Sequence, residues 1–182
     1  MGFLGIDQSL KASGLCRIDE TGAVDAISTV DTGDARDGER LVLIKRAVAA
    51  MASGVEFAAM EGYAYDSTNR PFALGEIGGV IKVLLVESGI PYVAVPPVLV
   101  KKFATGSTTA SKEDMMTACT ARGVEYSDDN QADAFFLACI ARAYARDTGR
   151  YRCEMEVLRA LRKSQGEKKP RRRARRLVKA AV

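Results

Sequence analysis

The chain opens on an apolar run, Phe3-Leu4-Gly5-Ile6, that ends on a carboxylate at Asp7. A run this short, with no polar alternation, predicts a strand buried on both faces. Residues 14–19 alternate weakly and predict a second strand, Glu20-Thr21-Gly22 a turn, and residues 24–30 a third strand, so the chain begins as a β-meander. Leu41, Ile44, Val48 and Met51 then recur at helical spacing and predict a helix from about Glu39 to Met51, closed by Ser53-Gly54. Residues 55–60 predict a fourth strand, and it too finishes on an acid, Glu61.

After a loop carrying Tyr63, Tyr65, Asp66, Asn69 and Arg70, the stretch 72–87 is apolar nearly all round. That pattern predicts a helix with two partners, of which the sheet is one and a second copy of the chain the other. Gly75, Gly78 and Gly79 each lower its intrinsic stability by roughly 1 kcal/mol relative to Ala, and close backbone approach to a neighbour is the expected reason. Residues 90–95 predict a fifth strand, stopped by Pro96-Pro97, and a short helix follows over about 98–103. Ser111 with Asp114 makes a capping-box start for a helix ending near Arg122 and Gly123. Further helices are expected from near Ser127 to about Arg146 and over 151–162. This order predicts an α/β protein with a mixed five-stranded sheet flanked by helices.

Composition adds bounds. With 182 residues, 47% apolar and 27% charged, the chain is long enough for one substantial core. The organisation expected is one domain over 1–150, a C-terminal helix over 151–164 and a disordered basic tail over 165–182. The net charge of +4 hides a polarity: from Arg162 onward there are ten Lys/Arg and one acid, a net of +9, leaving −5 in the rest. Such a tail suits non-specific phosphate contact, which is steeply salt-dependent. The absence of His excludes imidazole acid–base chemistry and argues against a structural zinc site. Cys16, Cys119, Cys139 and Cys153 form no C-x-x-C pair and read as reduced thiols of a cytoplasmic protein. No signal peptide is expected, because the first apolar run lacks a basic flank and meets Asp7 at once. Nothing in the pattern predicts a membrane span.

The candidate chemistry lies in the acids. Burying an ionised Asp costs free energy unless a positive group compensates, and hard divalent cations take carboxylate oxygens. Asp7 and Glu61 each end a buried strand, and the two strands can be neighbours. Asp133 stands where the 128–146 helix enters the core, with Asp129 one turn earlier on the same face. Taken singly, each acid is ordinarily a cap or a loop anchor. Together they can converge on two cations roughly 3.5–4 Å apart, the arrangement that clamps attacking and leaving oxygens in phosphoryl displacement.

These residues fall in a known order: Gly5-Ile6-Asp7 with Ser13-Gly14, Met60-Glu61, Leu74-Gly75 with Gly79-Val80, Val100-Lys101, Thr109-Ala110-Ser111-Lys112 and Gln131-Ala132-Asp133-Ala134. Over residues 3–146 the chain resembles the RuvC group of Holliday-junction resolvases, within the RNase H-like nuclease superfamily. The resemblance implies an RNase H-like three-layer fold and a homodimer, built here on the 72–87 helix, that nicks four-way DNA junctions. It implies two Mg²⁺ ions, replaceable by Mn²⁺, held by Asp7, Glu61, Asp129 and Asp133, with Lys101 and Lys112 at the scissile phosphate. Bacterial members place the fourth acid three residues before the last, where this chain has Asn130. The spacing here is that of phage and mitochondrial members, and the fourth ligand is Asp129 or its neighbour Asp128. The family's aromatic wedge is shifted, leaving Tyr63 or Tyr65. Lys102 and the tail residues Arg171, Arg172, Arg173, Arg175 and Arg176 are the expected DNA contacts, the tail resembling a phage-type elaboration. The implied setting is the cytoplasm of a bacterial or phage-infected cell.

Two other readings compete. Flaps, three-way junctions and RNA–DNA hybrids suit the same chemistry. Actin-like ATPases also begin with a strand, an Asp and a Ser/Gly-rich turn, but the chain has no second Asp-x-Gly-Gly motif and too little length for their two domains.

Overall fold

The computed structural model describes residues 1–62 and 71–166. Its strands are β1 (Gly2–Asp7), β2 (Ala12–Asp19), β3 (Val24–Asp31), β4 (Val55–Glu61) and β5 (Tyr92–Val95). Its helices are α1 (Asp37–Met51), α2 (Pro71–Glu87), α3 (Pro97–Thr105), α4 (Lys112–Ala121), α5 (Asp129–Arg146) and α6 (Arg152–Ser164). The strands form one sheet in the order β3-β2-β1-β4-β5. β1 pairs antiparallel with β2 and parallel with β4, and β4 pairs parallel with β5. The sheet is therefore mixed, and the carboxyl ends of β1, β4 and β5 lie along one edge.

Alternation along the strands divides the core into two layers. Leu4, Ile6, Leu15, Ala58 and Met60 pack with Ile44 and Val48 of α1 and with Ile77, Ile81 and Leu85 of α2. Phe3, Cys16, Ile18 and Ala59 face the other way, onto α3, α4, α5 and α6. β1 is buried along its whole length, which is why its sequence shows no polar alternation. The expected three-layer α/β arrangement is the one observed. α6 contributes Val157, Leu158 and Leu161 to the same core layer as α5. Its start is tied down by Glu154, 3% exposed, which accepts a hydrogen bond from Arg122 Nη2 at 2.8 Å.

α5 lies directly on β1 and β2, and two glycines allow it. A Cβ on Gly5 would stand 2.0 Å from the Ala134 carbonyl oxygen and 2.3 Å from the Ala138 nitrogen, and one on Gly14 would stand 2.0 Å from the Asn130 oxygen. At α2 a Cβ on Gly75 or Gly79 meets nothing within 4 Å among the described residues. A contact that needs glycine lies between the central strands and the helix that carries Asp133. Tyr63, Tyr65 and the tail arginines lie outside the described residues.

Candidate active site

β1 and β4 deliver Asp7 and Glu61 to the same edge because they are parallel neighbours whose register ends at Ile6–Met60. α5 delivers Asp133 and Asp129 from the face that packs on Gly5 and Gly14. The register of α5 is set by its first residues. Asp128 is the N-cap and accepts a hydrogen bond from Gln131 N at 2.9 Å. Its other oxygen accepts from Thr29 Oγ1 on β3 at 2.5 Å. Gln131, 7% exposed, donates from Nε2 to Thr29 Oγ1 at 3.2 Å and accepts from Ser127 N at 2.9 Å. This network pins the helix start to β3 and engages Asp128 away from the other acids. Asp129, the first helical residue, points toward the site.

Four carboxylates therefore act on one another. Asp7 is 8% exposed, and burial, with Glu61, Asp133 and Asp129 facing it, holds its carboxyl well above the usual range. Burial and then the Asp133 charge lift Glu61 to about 7, with Lys101 opposing. Burial and then Asp129 lift Asp133 to about 6, against the pull of Lys112 and Lys101. The contact with Glu61 adds to the rise at Asp7. Asp129 behaves differently: a hydrogen bond from Lys112 Nζ holds it below the ordinary range.

The donor set fits hard divalent cations: carboxylate oxygens, buried at Asp7 and partly buried at the other three, mutually repelling, with no buried cation among them in the described residues. Among the described residues, no three acids or thiols close on one point as a cage would require. Asp129 is drawn to Lys112.

Lys101 reaches the site electrostatically, through Glu61 and Asp133. Lys112 lies at the N-terminus of α4, placed by the Ser111–Asp114 capping box read from the sequence, and its side chain is 75% exposed. Lys102 instead pairs with Glu156 of α6 at 2.9 Å. A cavity of about 580 Å³ lined by Thr105, Asp114, Thr117, Arg122, Arg150 and Tyr151 touches none of the four carboxylates.

No family model matches the chain. Over 124 residues it is 30% identical to the crossover junction endodeoxyribonuclease RuvC of Synechococcus sp. (strain WH7803), covering 65% of this chain and 80% of that protein. The chain belongs to the RuvC family of crossover junction endodeoxyribonucleases. Two structures of Thermus thermophilus RuvC share the fold at 24% identity, each covering 81% of this chain and 96% of the other. The TM-score is 0.65 for one and 0.67 for the other, which holds a Holliday junction substrate. The RNase H-like sheet and its flanking helices are thus the architecture of the family.

Gln8, which bonds Glu61, and Thr29 and Gln131, which bond Asp128, are residues to which the sequence alone assigns no role. Only Gln131 left a trace, as the first residue of the motif that carries Asp133. Thr29 lies 99 positions from Asp128, and nothing local marks the contact. The four cysteines carry no disulfide, and among the described residues no helix is long and apolar enough to cross a membrane.

Proposed function

We propose that the chain resolves four-way DNA junctions as a Mg²⁺-dependent homodimer in the cytoplasm of a bacterial or phage-infected cell. The observation that carries the reading is that Asp7 and Glu61 end neighbouring strands of a RuvC-family chain, within electrostatic reach of Asp133 and Asp129 on α5. Two divalent cations, Mg²⁺ or Mn²⁺, would supply the charge that activates a water and stabilises the leaving oxygen. Asp7, facing all three other acids, is the carboxylate shared between them, with Glu61 to one side and Asp129 and Asp133 to the other. Lys101, beside Glu61 and Asp133, and Lys112, released from Asp129, hold the scissile phosphate. The products are a 5′-phosphate and a 3′-hydroxyl.

Four-way, three-way, flap and hybrid substrates should be compared side by side in Mg²⁺ and in chelator, using the whole chain and a chain truncated after Ser164. Metal-dependent nicking confined to the four-way junction is expected. Truncation is expected to weaken junction binding and to flatten the slope of log affinity against log salt, since fewer counterions are released. Equal cutting of flaps or hybrids would move the substrate assignment, and an unchanged salt slope would remove the tail from the interface.

Two coordinated nicks call for two active sites, and α2 supplies a face for pairing. It buries Ile77, Ile81 and Leu85 but leaves Val83 53% and Val86 67% exposed. Beside them an apolar groove of about 490 Å³ runs between Leu41 and Val42 of α1 and Gly79, Val80 and Val83 of α2. A contiguous exposed apolar face of this kind suits a partner. Replacing Val83 and Val86 with Glu is expected to give a folded monomer in sedimentation velocity that nicks junctions without pairing the nicks. A wild-type chain that sediments as a monomer at micromolar concentration would refute the dimer.

A further inference from the structure

Gln8 lies one residue beyond Asp7, where the β1–β4 register has already ended at Ile6–Met60. On its other side the Glu61 main chain is held by β5, through the Glu61–Val95 pairing and the hydrogen bond from Gly62 N to Val95 O at 2.8 Å. On the β1 side the link is the Gln8 side chain, whose Nε2 donates to the Glu61 carbonyl oxygen at 2.9 Å. The reverse amide orientation would set two acceptors face to face, so the chemistry fixes which atom points where. Gln8 Oε1 is consequently buried with no hydrogen-bond partner among the described residues, in a side chain 6% exposed.

That combination is unusual for a stabilising residue. An unpartnered buried acceptor offsets what one hydrogen bond returns, so Gln8 contributes little net stability to the fold. Its bond lies at one place of consequence: it ties the end of the strand carrying Glu61 to the end of the strand carrying Asp7. Ionised, those two carboxylates repel each other and push the strand ends apart. A metal site needs its ligands held to within a fraction of an ångström before the ion arrives.

We propose that Gln8 is a positioning residue, which through its amide fixes Glu61 opposite Asp7 in the geometry that takes up the divalent cations. The proposal rests on the metal reading above. It is tested on the whole chain with Gln8→Met, which keeps length and removes both amide atoms, and with Gln8→Leu. Melting temperature is measured in chelator and then across a Mn²⁺ titration, and the Mg²⁺ concentration for half-maximal junction cleavage is measured alongside.

In chelator, both variants are expected to melt at or above the wild-type temperature, because the orphaned acceptor is gone. The Mn²⁺ midpoint of thermal stabilisation is expected to rise about tenfold, the scale on which groups that orient ligands affect metal affinity. Half-saturating Mg²⁺ should rise in parallel. A Mn²⁺ midpoint unchanged from wild type would overturn the proposal. So would a clear fall in the metal-free melting temperature of both variants, which would make Gln8 a fold residue. A wild-type chain with no Mn²⁺ response at all would sink the metal reading itself, and the proposal with it.

Discussion

Asp7→Asn is expected to lower junction cleavage in Mg²⁺ at least about a thousand-fold while leaving junction binding intact, because it removes the one carboxylate that both cations would share. Asp7 alone faces Glu61, Asp133 and Asp129 together. The substitution is nearly isosteric, and the Asn amide can still donate to Glu61, so the site keeps its shape and loses its charge. The same change should affect stability in a direction opposite to its effect on activity. A carboxyl whose folded pKa is raised contributes stability that is present below its unfolded value and lost as pH rises through the folded value. For Asp7 the unfolded value is near 3.8 and the folded value well above it. In chelator, wild-type melting temperature should therefore fall relative to Asp7→Asn as pH is raised, with little difference at pH about 4 and a growing advantage for the variant toward neutrality and beyond. Glu61 and Asp133, raised to about 7 and about 6, deepen the wild-type loss in the same window. Mn²⁺ should restore the wild type and leave the variant little changed. Cleavage by Asp7→Asn near the wild-type rate would exclude Asp7 as the shared ligand. Equal pH dependence in the two proteins would mean that its carboxyl is not confronted by its neighbours.

Asp7 and Glu61 were legible in the sequence because each ends a run whose apolar character can only mean a buried strand. Parallel neighbours place such ends side by side. Asp133 was legible because the helix becomes continuously apolar immediately after it. The choice between Asp128 and Asp129 was not legible, since helix boundaries are uncertain by a residue or two from sequence. One residue of shift exchanges an N-cap, whose side chain folds back onto Gln131 N, for a first-turn side chain that faces outward. Thr29 holds Asp128 from a strand 99 positions away, and no periodicity carries that information. The glycines show the same limit. Three in an apolar helix point to close packing, and among the described residues nothing lies within 4 Å of a Cβ on Gly75 or Gly79. Gly5 of β1 and Gly14 of β2 are the ones pressed against a helix. A sequence shows that a side chain is missing but not which neighbour occupies its place.

Gly5→Ala is accordingly expected to cause the largest loss of stability of any single methyl group added to the sheet. The new carbon would stand 2.0 Å from the Ala134 carbonyl oxygen and 2.3 Å from the Ala138 nitrogen, both main-chain atoms of α5. A flexible side chain cannot swing aside to relieve this, so the helix must rise off the sheet. Overpacking of a tight core costs about 1–3 kcal/mol where side chains can adjust, and here the upper end or more is expected. In a chain of this length, about 3 kcal/mol lowers the melting temperature by about 6–12 °C. The functional consequence follows from the same displacement. α5 carries Asp133 and Asp129, while β1 carries Asp7, so a helix lifted at Ala134 withdraws two carboxylates from the other two. Gly5→Ala should therefore lose Mn²⁺-induced stabilisation as well as metal-free stability, even below its melting temperature. Gly38→Ala in the first turn of α1 is the control: its added carbon meets nothing within 4 Å, and Ala in place of Gly in a helix is expected to be neutral or to stabilise by about 0.5–1 kcal/mol. If Gly5→Ala melted like Gly38→Ala, the packing of α5 on β1 would not be as close as 2 Å implies. The convergence of the four carboxylates would then need another cause.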